Sequence, residues 1–276
     1  MSALFAQYVK RAEADIDLAI AALLIALDAY PGLNITRYVL WLDAQGYRAR
    51  ERLDPGSSPS LNVSELNRLV FDDLGFHANA ENYYDPANSY LNDVIERRTG
   101  IPITLSLVYM EIATRARLRV EGVGLPGHFI VRLRGDDWER LVDPFNRGIE
   151  LTHYDCEQLL TQVYGKPMPL LPEYLQPIGK RAFLTRMLTN LQTIHLQQQQ
   201  WPQAHNAISN ILCLRPERPL LGDLIRARGL VNYKLQNWNA AEQDWLRYLT
   251  LAPNASDSAL IRDNIEALRN SIARRN

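Results

Sequence analysis

His128 and Asp143 are the two side chains in this sequence best placed to do chemistry together. An imidazole takes up and releases a proton near neutral pH, and a carboxylate beside it fixes its tautomer and raises its basicity. The segments HFIVRLR (128–134) and WERLVD (138–143) are short, alternating and separated by a turn within RGDDW, which is strand chemistry. Pairing through a loop at 135–137 sets Arg134 against Trp138 and, counting back, His128 against Pro144, beside Asp143. A slip by a single residue sets His128 directly against Asp143, and cross-strand neighbours have Cβ atoms about 5 Å apart. The pair then supplies the base and the orienting acid of a catalytic triad. The competing reading is a histidine at a strand start, hydrogen-bonded for structure.

A nucleophile for such a pair must come from another element. The stretch RRTGIPITLSLVYMEIATRA (97–116) sets a glycine and a proline ahead of a long apolar helix whose first turn carries Thr104 and Ser106. Backbone N–H groups and the helix dipole at such an entrance stabilise a thiolate or an oxyanion. The stretch has no cysteine. A hydroxyl is a poor nucleophile unless a base lies within about 3 Å. Thr104 is the candidate by position, and Ser106 points elsewhere around the helix. The structural alternative for Thr104 is a hydroxyl bonding a free backbone N–H at the helix start. The segment ENYYDPANSYLNDVI (81–95) gathers Asn82, Tyr83, Tyr84, Asp85 and Asn88 around Pro86. It reads either as a capped loop, in which Asn88 and Ser89 start the next helix, or as a wall of the cleft beside His128, shared with Ser106.

Cys156 and Cys213 lie far apart, so a reducing compartment fits better than a disulfide framework, and each reads as a small buried hydrophobe. His128, Asp143 and His153 match no standard ligand spacing. No metal and no cofactor are expected.

Three regions must position these residues. Residues 1–95 are mostly helical. Their apolar run AIAALLIAL (19–27) is preceded by Asp15 and Asp17 and followed by Asp28. Nine residues fall short of the roughly 20 that cross a bilayer, so the run is a core helix and no membrane partner is expected. Residues 96–178 hold the apolar helix and the short strands. Residues 179–276 return to helix and repeat: WPQAHNAISNILCLRP (201–216) aligns without gaps on WNAAEQDWLRYLTLAP (238–253), at an offset of 37. The coincident Trp, Ala, Leu and Pro positions resemble a pair of tetratricopeptide repeats, whose period is about 34. Trp201 and Trp238, which recur in register, read as packing residues. Trp245 and Tyr248 fit either packing or a concave binding face.

The chain has 276 residues, 47% of them hydrophobic and 22% charged, with a net charge of −1. That is the composition of a globular protein, and it excludes a large basic footprint for nucleic acid. A cytoplasmic location is expected.

The order of helix, His strand and Asp strand is similar to the transglutaminase-like core, in which a cysteine heads the helix. Spacing carried back from ARLRVEGV puts that cysteine's place at Ile103 or Thr104. Over roughly residues 10–255 the chain resembles the SirB-type bacterial family, on NYYDPANSYLNDVIERRTGIPITLSLVY (82–109), GVGLPGHFIVR (122–132) and DPFNRG (143–148). The core is also similar to part of a eukaryotic F-box protein. The resemblance implies an α+β fold: a helical N-terminal part, a transglutaminase-like core with a small antiparallel sheet, and a C-terminal tetratricopeptide pair. It implies a core without its triad cysteine, acting as a protein- or peptide-binding regulatory module, with the repeats as the partner surface. The alternative is a hydrolase or acyl transferase that uses His128, Asp143 and the Thr104 hydroxyl.

Overall fold

In the computed structural model, which describes residues 3–54 and 56–273, the chain is mainly helical with one four-stranded antiparallel sheet. By contacts it divides into two units, residues 11–187 and residues 1–10 with 188–276.

The 11–187 unit begins with α2 (Leu18–Ala26), after α1 (Ala3–Tyr8) of the other unit. The Asp17 side chain caps α2 by accepting from Ile20 N at 2.9 Å. All but one of its residues are buried, as a helix apolar on every face requires. Helix α3 (Ile35–Arg52) is capped by Asn34 and buries Tyr38, Leu42, Gln45, Gly46 and Ala49. Gly46 lets it lie close on a later helix: a Cβ there would sit 2.2 Å from Arg115 Cβ.

Helix α4 (Pro59–Asn67) starts at Ser58, whose hydroxyl accepts from Leu61 N, with Pro59 in the first turn. Proline with its preset φ fixes the start here, so Ser64 lies inside the helix rather than at its cap. A π-helical turn (Arg68–Asp73) follows. Strand β1 (His77–Ala78) pairs in parallel with β2 (Thr99–Gly100). Between them, α5 (Leu91–Arg97) has Tyr90 at its N-cap without a side-chain cap. Asn88 and Ser89 do not cap it, because the Asn88 amide is turned back into the preceding loop.

Helix α6 (Pro102–Arg115) is the centre of the unit, with eleven of its residues buried. It packs on α3 and on β3 (Arg119–Val123). Strands β3, β4 (Ile130–Arg134), β5 (Glu139–Asp143) and β6 (Ile149–Leu151) lie side by side in chain order. Arg134 pairs with Glu139 and Val131 with Val142. The register therefore differs by one residue from the Arg134–Trp138 pairing read off the sequence. Trp138 belongs to the turn, where Gly135 N donates to its carbonyl at 2.9 Å. The far side of the sheet closes on α7 (His153–Tyr164) through a core of Val123, Leu125, Ile130, Leu141, Cys156, Leu160 and Leu175. Each fully buried aliphatic side chain there contributes about 1.5–3 kcal/mol relative to exposure.

Helix α8 (Lys180–Gln197) contributes its residues through Met187 to this unit. The second unit contains α9 (Trp201–Cys213), α10 (Arg218–Lys234), α11 (Trp238–Leu251) and α12 (Ser258–Ala273), with α1 against α9. Its core joins Ile225, Ala241, Trp245, Tyr248, Ile261, Ile265 and Leu268, with Trp238 packed against it. Trp245 and Tyr248 are thus packing residues. Arg228 clamps Asp244 with two bonds of 2.9 and 2.7 Å across α10 and α11, and Asn232 adds a third. Among the described residues, no helix is long and apolar enough to cross a membrane.

Candidate functional site

The first turn of α6 forms because Pro102 presets φ and Thr104, at the third helical position, satisfies the free backbone. The Thr104 hydroxyl oxygen accepts from Ile101 N at 3.1 Å. Its single proton has its shortest contact with the Asn88 carbonyl, at 2.7 Å. The backbone of Gly100 lies against it, since a Cβ there would be 2.8 Å from Thr104 Oγ1. Thr104 and Ser106 are both fully buried. Ser106 makes only a long contact of 3.5 Å to the Phe129 carbonyl.

His128 ends the turn Gly124–His128, with its N–H donated to the Leu125 carbonyl at 3.1 Å. It stands two residues before β4 rather than in it. Gly127 takes φ +72, and its Cα face is closed by Val163 of α7. The imidazole Nε2 bonds Asp143 Oδ2 at 2.8 Å; the two side chains are 10% and 0% exposed. The ring meets Phe145 edge-on, with centroids 6.0 Å apart. Extending the observed register sets His128 level with Phe145, two positions past Asp143, and side-chain reach across that diagonal closes the bond.

Asp143 is held by more than the histidine. Its Oδ1 accepts from Phe145 N at 2.9 Å and Asn146 N at 3.4 Å, and its Oδ2 accepts also from Asn146 Nδ2 at 2.7 Å. Three N–H groups of its own turn already donate to this carboxyl, and an Nε2–H tautomer of the imidazole completes the set with a fourth. Nε2 of His128 is then the donor, and the lone pair of the neutral ring lies on Nδ1. That nitrogen has no hydrogen-bond partner among the described residues. The turn carrying Asp143 closes through Gly148 N to the Asp143 carbonyl at 2.8 Å. Asn67 grips the same turn, donating to the Gly148 carbonyl at 2.6 Å and accepting from the Tyr109 hydroxyl at 2.9 Å. Tyr109 is fully buried on α6, and burial pushes its phenol well above the usual range.

The loop at 79–89 reaches the same helix start. Asn88, fully buried, donates to the carbonyls of Asn82 (2.8 Å) and Tyr83 (3.2 Å) and accepts from Asn79 at 3.0 Å. Asp85 caps its own short turn through Ala87 N and pairs with Arg97 at 2.8 Å. Tyr84 is exposed and stacks edge-on with Tyr83. The structure thus brings Asn82, Tyr83 and Asn88 together with Thr104, and His128 together with Asp143. It does not hydrogen-bond Thr104 to His128. Cys156 is buried, and desolvation, then Asp155 and Asp143, push its thiol up to about 11, the reverse of an activated nucleophile. Among the described residues, no cluster of three His, Cys, Asp or Glu side chains could hold a metal ion.

Three residues of this site went unnoticed in the sequence: Asn67, Asn146 and Arg186. Arg186 Nη2 donates to the carbonyls of Leu125 (3.1 Å) and His128 (2.8 Å). In the sequence it falls in a stretch that the repeat pattern claims, LTRMLTNLQ. The available signal was a lone arginine between the apolar positions Phe183, Leu184 and Met187, all of which are buried.

Comparison with known proteins agrees with this architecture. Residues 36–189 match the transglutaminase-like superfamily, and residues 191–266 match the tetratricopeptide repeat. A UPF0162 protein of Xylella fastidiosa (strain 9a5c) is 35% identical over 252 residues, covering 90% of this chain and 89% of that protein. A UPF0162 protein of Haemophilus influenzae is 25% identical over 82% of this chain and 83% of its own length. Human F-box only protein 21 is 37% identical over 137 residues, which are 43% of this chain and 22% of that protein. No solved structure matches the chain.

Proposed function

The chain belongs to the UPF0162 family, with a transglutaminase-like core followed by tetratricopeptide repeats, and from that membership we propose that it is a binding module without thiol chemistry. In this reading the cleft of the core recognises a protein or peptide, the repeats hold the same or a second partner, and the role is regulatory. The observation that carries it is the state of Thr104. At the helix entrance where a triad needs a nucleophile, the hydroxyl stabilises two buried backbone groups, Ile101 N–H and the Asn88 carbonyl. His128 Nδ1 therefore has no nucleophile bonded to it. The test is capture of partners from cell extract by the full-length chain, run beside an assay for ester and amide hydrolysis and for acyl transfer. Retained partners with no turnover support the reading. Turnover that disappears in His128→Ala overturns it.

A second reading rests on the His128–Asp143–Asn146 network. It leaves Nδ1 of an oriented imidazole free, as a general base for acyl transfer or hydrolysis requires. Thr104 would then have to leave the Asn88 carbonyl during the reaction, with His128 taking its proton and Asp143 orienting the imidazolium. Loss of turnover in Thr104→Val with turnover kept in Thr104→Ser would favour it.

A further inference from the structure

Arg186 is a cation drawn into the protein without a carboxylate to balance it. Its Nη2 bonds the carbonyls of Leu125 and His128, and its guanidinium lies 5.2 Å from the centre of the Phe129 ring. Gly124 makes room for it, because a Cβ at that position would stand 2.6 Å from Nη1. Among the described residues no Asp or Glu pairs with it, and the Tyr83 phenol offsets its burial only in part. Desolvation pulls its pKa below the usual guanidinium value, the mark of a charge that gains little from its surroundings. Carbonyl dipoles and a ring face offset part of the cost of burying a cation, and a full counter-charge is missing. Both Nη2 hydrogens are engaged, which leaves the two on Nη1 and the one on Nε as donors.

We propose that Arg186 is the anion subsite of the cleft and that it receives a carboxylate of the bound peptide, at a chain end or on an acidic side chain, beside His128. The assignment rests on the reading of the cleft as a binding site. A single guanidinium balances a single negative charge. The buried Asp143 carboxylate already stands behind the imidazole, which disfavours a phosphate dianion over a monoanionic carboxylate. Gly124 acts as a specificity residue, since any side chain there displaces the guanidinium.

The experiment is an NMR titration of the full-length, nitrogen-labelled chain, read at the Arg186 Nε–H and the His128 ring. The probes are N-acetylglycine for a chain end, N-acetylglutamate α-amide for an acidic side chain, N-acetylglycinamide as the neutral control, and inorganic phosphate. Saturable shifts with either carboxylate and none with the amide are expected, and the tighter of the two identifies the source. Arg186→Lys, which keeps the charge and loses the fork, should weaken carboxylate binding by about tenfold or more. Gly124→Ala should weaken it similarly while Arg186 itself is intact. The proposal is overturned if the amide matches the carboxylates, if phosphate binds most tightly, or if both variants bind like the parent with native backbone spectra. Ester turnover abolished in His128→Ala would overturn the binding reading and leave the carboxylate subsite standing. Partner capture that persists without probe binding would overturn this subsite alone.

Discussion

Thr104→Val is the substitution that separates a structural threonine from a held-back nucleophile. It keeps the volume and shape of the side chain and removes the hydroxyl. Two backbone groups then lose their partner, Ile101 N–H and the Asn88 carbonyl, in residues that are 1% and 0% exposed. An orphaned buried donor or acceptor costs about 1–3 kcal/mol, so the variant should lose about 2–6 kcal/mol of stability. Thr104→Ser keeps the hydroxyl and loses one buried methyl, for about 1 kcal/mol. The expected order is parent, then serine, then valine. Urea unfolding of the full-length chain measures the difference, and hydrogen exchange at the Ile101 amide localises it, with faster exchange in the valine variant. A valine variant within about 0.5 kcal/mol of the parent, with Ile101 exchange unchanged, would refute the argument and leave the hydroxyl free for chemistry.

Three further outcomes follow from the site and the repeats. Gly148→Ala combines φ +74 with a Cβ 2.2 Å from Asn67 Oδ1. It should cost about 2–4 kcal/mol in urea unfolding, against about 1 kcal/mol for Gly75→Ala, where φ is similar and the space is open. Equal costs would mean that Asn67 does not grip the turn. Nitrogen spectra of the neutral His128 ring should show one tautomer, protonated at Nε2, and Asp143→Asn should produce a mixture; a mixture in the parent would remove the basis for a free Nδ1. His195 in α8 is buried beside Gln200, and desolvation lowers its pKa. A lowered histidine pKa favours the neutral folded form, so its contribution is fully present above the unfolded value of about 6.5 and is lost as pH falls through and below it. Thermal unfolding at stepped pH should show that loss, and His195→Gln should reduce it.

The parts of the fold that were legible in the sequence are those governed by local periodicity. The all-apolar α2, the Pro102 helix start, the alternating strands and the repeat offset each follow from spacing within about a dozen residues. The His128–Asp143 pair was legible because a hairpin links its members. Its register was not, because RGDDW leaves open whether Trp138 begins the strand or closes the turn. The place of Asn88 was not legible for a related reason. Several side chains could cap each helix, and tertiary contacts decide which one does; Asn88 is drawn into the loop beneath Thr104 instead. Asn67 and Arg186 act on the site from 81 and 58 residues away, through bonds to backbone carbonyls. A carbonyl partner leaves no trace in residue types, so no motif announces such contacts.

The position of α1 has a consequence for how the chain is made. Residues 3–8 pack on α9, which begins at Trp201, and Phe5 and Val9 are fully buried there in the finished protein. During synthesis this helix must wait for roughly 200 further residues before its partner leaves the ribosome. At ordinary elongation rates that interval is roughly 10–40 seconds. Through it Phe5 and Val9 lack that cover, while Lys180, made earlier than α9, can already reach back to the carbonyls of Ala14 and Ile16. Residues 3–8 are therefore made well before they are seated, and chaperones that patrol nascent chains have a long opportunity there.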